Sequence, residues 1–119
     1  MATTEEIVEA YAEWQTRSNG NERLRKMLRG WDRVVVIDTT DTHERFTIAV
    51  ADTVLADIVA GAPDVVDLVV TGTSEDFCDM FWGDLNPSEK YISGEIVIHG
   101  AQADVMRLDA MSMVAFLDQ

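Results

Sequence analysis

The chain has little of what stabilises or anchors proteins outside the cytoplasm. Its only cysteine is Cys78, so an intrachain disulfide is excluded and a reducing compartment is the natural setting. No apolar run approaches the roughly 20 residues that cross a bilayer. The N-terminal residues Met1–Glu6 lack the basic and apolar regions of a signal peptide, and Leu117–Gln119 is not a peroxisomal signal. We therefore expect a cytoplasmic protein without stable membrane anchoring.

Positive charge is also scarce. Two lysines stand against 13 aspartates, and the formal net charge is −13. Such a chain lacks the basic surface that releases counterions from nucleic acid, so nucleic acid is excluded as a partner. The electrostatic field of this negative net charge also repels an anionic membrane surface. A salt-rich cytoplasm and a GC-rich genome would each produce this composition.

Sequence signatures of catalysis are missing. Cys78 has no base close in sequence, and His43 and His99 belong to no metal-ligand spacing. Asp76 and Asp79 resemble an acid–base pair, but acidic residues near a helix start are explained by the helix dipole. No glycine-rich phosphate loop or dinucleotide fingerprint occurs. We expect no enzyme activity, no metal and no cofactor.

The length of 119 residues and a hydrophobic share of 47% are typical of one folded domain, here residues 1–119. Residues 1–30 predict two helices. In the first, apolar positions recur at helical spacing from Thr3 to Thr16, with Thr3 or Thr4 as the cap. The second is short, and Gly30 is its predicted end.

Residues 31–71 predict an antiparallel meander of four strands. Val34–Ile37 is a continuous β-branched run, and the alternation within Phe46–Val50 is typical of a half-buried strand. Thr53–Val59 and Val65–Thr71 are the predicted third and fourth strands.

Residues 72–119 predict a helix, a strand and a terminal helix. The first helix starts at Ser74 and ends at the cap Gly83, and the strand carries Ile96 and Ile98 on one face. The terminal helix, Ala101–Leu117, is apolar nearly all round. Such a helix needs cover on two sides, so a partner subunit or an apolar ligand is expected on the second side.

Several ordered motifs resemble the sterol carrier protein 2 family. The segments are Thr71–Phe77 with Phe81–Pro87, then Tyr91–Gly100, and more weakly Gly30–Ile37 and Gly61–Asp64. Their order and spacing carry the resemblance, because each short motif alone is unspecific. One departure is that Asp52-Thr53-Val54 lacks the glycine often found in the turn before the third strand.

The resemblance implies an α/β (α+β) fold: a curved, mostly antiparallel five-stranded sheet, covered on one side by helices and enclosing an apolar tunnel. It also implies non-enzymatic binding and intracellular transfer of an apolar, lipid-like ligand such as a sterol, fatty acid, acyl-CoA or phospholipid. The residues expected to contact the lipid are Phe77, Met80, Phe81, Tyr91, Ile92, Met106, Met111, Met113 and Phe116. Each of them would equally suit an ordinary core.

An alternative interpretation needs no tunnel. The apolar terminal helix would instead bury its spare face against a second copy or another subunit. The chain would then be a protein-interaction or dimerisation module, accessory to an enzyme of lipid or quinone metabolism.

Overall fold

A computed structural model describes all residues, 1–119, as helices packed on one mixed sheet. The helices are α1 (Thr4–Asn19), α2 (Glu22–Met27), α3 (Ser74–Trp82), α4 (Pro87–Ser93) and α5 (Gln102–Leu117). The strands are β1 (Arg33–Thr39), β2 (Glu44–Ala51), β3 (Val54–Leu55), β4 (Val59–Ala60), β5 (Leu68–Gly72) and β6 (Val97–Gly100). None of the helices combines the length and apolar content needed to cross a membrane.

The sheet has the order β3-β2-β1-β5-β6, with β4 also paired to β2. All pairs are antiparallel except β1 with β5, which run parallel with Val36 opposite Val69. The predicted α/β fold with a mostly antiparallel sheet is therefore confirmed. The sheet has six strands instead of five, because the predicted third strand is interrupted and forms the two short strands β3 and β4 along the same neighbour.

The predicted four-stranded antiparallel meander is wrong at its last strand. β5 begins at Leu68, three residues later than predicted, and lies on the other side of β1 from β2. Its register pairs Leu68 with Val35 and Val70 with Ile37 in the parallel direction. Parallel pairing places β1 and β5 in the buried centre of the sheet.

Helix boundaries follow local capping. Thr3 and Glu6 form a capping box at the start of α1, which confirms Thr3 as the cap. α1 continues three residues beyond the predicted Thr16. α2 ends at Met27 instead of continuing to Gly30. Gly83 closes α3 with a φ of 87°, a left-handed conformation that glycine adopts without penalty, as predicted.

The core lies between the helices and one face of the sheet. Side chains at alternate positions of β1, β2 and β5 point toward the helices. The buried members of that face are Val35, Ile37, Phe46, Ile48, Val50, Leu68 and Val70. On the opposite face, which no helix covers, Val34, Thr47 and Val69 are half-buried, and Val36 between them is buried by its neighbours. The helices therefore cover one side only.

Close strand packing at the sheet edge gives a stability prediction. Gly100 pairs with Leu68, and a Cβ built on Gly100 would lie 2.8 Å from the Asp67 carbonyl oxygen and 2.5 Å from Leu68 Cδ2. We expect Gly100→Ala to lower the free energy of unfolding by about 1–3 kcal/mol, because the backbone must shift to relieve the overlap. Urea denaturation measures this. Gly20→Ala is the control, since its Cβ would meet nothing closer than 3.4 Å; equal losses in both variants would contradict the account.

Candidate functional site

An apolar cavity lies between the inner face of the sheet and the helices. Eighteen residues line it, and 15 of them are hydrophobic. The sheet contributes its floor through alternating side chains of β1, β2, β5 and β6. These residues are Val35, Ile37, Ile48, Val50, Val70 and Ile98, with Leu55 of β3 and with Ile96 immediately before β6.

Aromatic side chains from α1 and α3 form one wall of the cavity. The rings of Trp14 and Phe81 have centroids 5.2 Å apart, and Phe77 stacks on Phe81 at 6.4 Å. Tyr11 meets Phe81 edge to face at 5.4 Å behind this wall. Its hydroxyl donates to the Ala56 carbonyl at 2.6 Å, and burial raises the pKa of this phenol well above its usual value. The residues of this wall are therefore almost completely buried.

The opposite wall comes from α4 and α5 and is more open. Its residues Tyr91, Leu108 and Ser112 are half-buried, and only Met111 of α5 is fully buried. Asp109 also lines this wall, and its Oδ1 accepts a hydrogen bond from Ser88 Oγ at 3.2 Å. The only charged side chain of the lining thus lies on this half-exposed side.

The free volume of the cavity is about 60 Å³. Sites for small molecules commonly measure about 300–1,000 Å³. A lipid chain would therefore need several times the present volume. The wall formed by α4 and α5 is the less buried of the two, so moving it outward would break fewer packing contacts than moving the aromatic wall. Met80 and Met111 on the lining have flexible thioethers that can repack as the volume grows.

The structure brings together five of the nine residues predicted to contact a lipid: Phe77, Met80, Phe81, Tyr91 and Met111. The other four do not line this cavity. Ile92 is 84% exposed at the end of α4, and Met106 is 65% exposed on α5. Met113 and Phe116 are half-buried on faces of α5 turned away from the cavity.

Sequence reasoning missed the residues of the cavity floor. The alternation in Phe46–Val50 indicates an inward face, but no local sequence pattern predicts which strands lie together beneath α5. Trp14 was assigned only to a helix stripe, although it reaches the cavity from α1. Asp109 and Ser112 gave no signal because single polar residues on a helix are usually solvated.

Polar contacts attach α5 to the rest of the domain. At its start, Asp104 accepts from Trp31 Nε1 at 2.9 Å and pairs with Arg33 Nε at 3.1 Å. Arg33 and Trp31 hold the pKa of the Asp104 carboxyl below its usual value. At its end, Asp118 pairs with Arg23 at 2.8 Å. Between the two ends, Arg107 donates to the Met27 carbonyl and Asp109 accepts from Ser88, so polar contacts hold the helix along its length.

Candidate nucleophiles and metal ligands lie elsewhere. Burial raises the pKa of the Cys78 thiol to about 11, so this thiol stays protonated near neutral pH. His43 and His99 are exposed on different parts of the sheet, and Asp76 pairs with Lys90 at 3.5 Å. No group of His, Cys, Asp and Glu side chains is arranged to hold a metal ion.

Comparison with known protein families gives one match. The SCP-2 sterol transfer family model matches residues 13–112, which include both walls of the cavity and its floor. A sequence search of curated proteins finds no match.

Solved structures share the fold at low sequence identity. A "UbiJ-SCP2 Ubiquinone synthesis protein" superposes with a TM-score of 0.70 at 11% identity, over 92% of this chain and 94% of that chain. The sterol carrier protein domain 2 of Helicoverpa armigera gives 0.66 at 19% identity, over 97% and 93%. The palmitated SCP2L2 of Aedes aegypti gives 0.63 at 17% identity, over 93% and 95%. At these identities the likeness shows the fold alone.

The attachment of α5 gives a pH prediction. Because the folded-state pKa of Asp104 is lowered, its contribution to stability is present above the ordinary carboxyl pKa of about 3.9 and is lost as the pH falls through the lowered value. Asp104→Asn removes that contribution. We expect the variant to melt below the parent at pH 6, with the difference in Tm shrinking by pH 3. Thermal melts measure it, with exposed Asp84→Asn as the control; a Tm difference independent of pH would contradict the assignment.

Proposed function

Because the chain belongs to the SCP-2 sterol transfer family, we propose that it binds an apolar lipid in the cavity between sheet and helices and transfers it within the cell. The cavity itself is the observation that supports this most: 15 of its 18 lining residues are hydrophobic. Each lipid methylene buried there gains about 0.8 kcal/mol relative to water. A short acyl chain therefore needs few polar contacts to be held.

In this proposal the aromatic wall stays in place while the opposite wall yields. Phe77 and Phe81 stack on each other, and Phe81 also packs against Trp14 and Tyr11, so moving either ring would disrupt several contacts of the core. Met80, Tyr91 and Met111 adjust around the ligand as the cavity widens toward a tunnel. We propose these five residues as lipid contacts.

The proposed role is that of a carrier without catalysis, working in the cytoplasm. Cys78, the one thiol of the chain, does not line the cavity. The single free thiol suits a reducing compartment. Ligand exchange would then depend on the opening of the helical wall and not on a chemical step.

A second candidate function is favoured by the uncovered face of the sheet. Pairing registers place four partly or largely exposed valines on that face, Val34, Val59, Val69 and Val97, around the buried Val36. Val59 is 61% exposed and Val97 is 36% exposed. Such a face suits a protein partner, which would make the chain an accessory module, and the ubiquinone synthesis protein among its structural neighbours is consistent with that role. Sedimentation separates the two functions, because a lipid-loaded monomer contradicts this one.

Blocking the cavity tests the carrier function. Ser112 lines the yielding wall, so Ser112→Phe places a ring where the ligand chain would lie. We expect the affinity for an uncharged apolar dye such as Nile red to fall by about tenfold, because overpacking a site of this kind costs about 1–3 kcal/mol. Fluorescence titration measures this affinity.

The matched control is Ala110→Phe, which adds the same ring two residues away on the exposed face of α5. It should bind the dye like the parent protein. Circular dichroism verifies that both variants fold. If both variants bind the dye as tightly as the parent, the cavity is not the binding site.

A further inference from the structure

We propose that the uncovered face of the sheet binds a partner protein whose contact surface is apolar in its centre and basic along one border. The inference rests on the second candidate function and names the chemistry of its partner. It concerns the side of the sheet that faces away from the lipid cavity. Two observations carry it: the face has no net charge in a strongly acidic chain, and unpaired aspartates border it at one end only.

Branched apolar side chains cover the centre of this face. In the row that crosses the sheet from β4 to β6, Val59 lies beside Thr47, and Val36 lies beside Val69. Val59 on one side of the sheet and Val97 on the other are both exposed. β-Branched side chains are restricted at χ1, so they lose little freedom when a partner covers them. The face is therefore preorganised for an apolar contact.

The face carries no net charge. With histidine counted as neutral, the only charged side chains that its strands place there are Asp38 and Arg45, which lie opposite each other and pair at 3.2 Å. Because this pair cancels, the rest of the chain carries the whole net charge of −13. An apolar surface without unpaired charge costs little to remove from water. A partner can thus cover this face without burying an uncompensated charge.

Three exposed aspartates border the face at the end where β1 and β5 begin and β2 ends. Asp67 accepts a hydrogen bond from a backbone N–H of β1 at 2.7 Å, and Asp32 accepts from the backbone N–H of Asp52 at 3.3 Å. None of the three forms an ion pair. The nearby Arg33 is engaged by Asp104 at 3.1 Å. Lysine or arginine side chains of a partner would meet unpaired carboxylates at this border.

The opposite end of the face differs, because its acids have basic partners within the chain. Asp38 pairs with Arg45, and Glu95, just before β6, pairs with Lys90 at 2.6 Å. The charge around the face is therefore asymmetric. Complementary charges fix the orientation of a partner. The basic border of the partner lies at the end of Asp32, Asp52 and Asp67.

A second copy of this chain does not offer the required surface. It would bring a second net charge of −13 against the first, and its own copy of this face is bordered by unpaired aspartates and not by cations. Juxtaposed like charges oppose such a pairing. The partner is therefore a different protein, and its basic border complements the acidic one.

The size of the face sets the probe and the expected affinity. Its row of strands is β4, β2, β1, β5 and β6, which at about 4.8 Å per spacing is about 19 Å across. A helix of about 13 residues has the same length. Contacts of this size belong to the weak, transient class of interface. We therefore expect micromolar affinity for an amphipathic peptide of that length.

The test titrates isotope-labelled protein with a leucine–lysine peptide of about 13 residues, amphipathic as a helix, and with its leucine–glutamate counterpart. Two-dimensional NMR of the backbone amides maps the contact. The leucine–lysine peptide should shift signals of β1, β2, β5 and β6, most of all near Asp52. The leucine–glutamate peptide should bind about tenfold more weakly or less, because it presents like charge to the acidic border.

Two pairs of variants separate the apolar centre from the border. Val59→Asp puts a charge into the centre and should weaken the leucine–lysine peptide about tenfold. Val8→Asp, the same change at an exposed valine of α1, should bind it like the parent. Asp52→Asn removes one border charge at a residue with a φ of 52°, which asparagine also adopts, and should weaken binding about threefold. Asp84→Asn, away from the sheet, should not weaken it.

The comparison of the two peptides on the parent protein holds even if a variant fails to fold. Equal binding of both peptides to the face would overturn the basic border and leave the accessory function standing. Shifts confined to the acidic helices α1 and α3 would overturn the assignment of the face. Shifts of the strand signals with protein concentration alone would assign the face to a second copy instead. If neither peptide shifts the strand signals, the second candidate function fails with the inference, while Nile red binding tests the carrier function separately.

Discussion

The apolar inner face of the sheet is the constraint on which the rest of the structure depends. Alternate residues of β1, β2 and β5 place a continuous apolar surface on one side, and helices must cover it. α1 and α3 cover one half with the interlocked rings of Tyr11, Trp14 and Phe81. The other half is left to α4 and α5, which contribute only Pro87 and Met111 as fully buried residues. The cavity lies at the boundary between the tightly packed pair α1 and α3 and the less tightly packed pair α4 and α5.

This unequal cover links stability to function. α5 packs on the core through a stripe of apolar residues, but Met111 is the only fully buried one among them. In the proposed function this less buried half moves while the tightly packed half maintains the fold. In the proposed function, an entering ligand replaces contacts between these helices and the sheet with its own apolar surface.

Much of the fold could be predicted from the sequence, and the features that could not depend on contacts between residues distant in the chain. The β-branched run Val34–Ile37 and the stripe Ile7 to Trp14 identify their elements because local propensity and burial agree there. The parallel pairing of β1 with β5 was missed because register and neighbours are set by contacts distant in sequence. On α5 the methionines resembled a lipid surface, yet Met106 is exposed and Met111 is buried. A helix that is apolar all round does not show which side faces the sheet, so its cavity residues could not be told apart.

Native mass spectrometry of the freshly purified protein, followed by organic extraction of whatever is bound, tests the central claim most directly. The claim is that the cavity under α4 and α5 holds a lipid. It predicts a monomer with a discrete added mass that leaves the protein on denaturation and extracts as a lipid. A bare protein, with no mass gained after incubation with an excess of lipid, would contradict the claim.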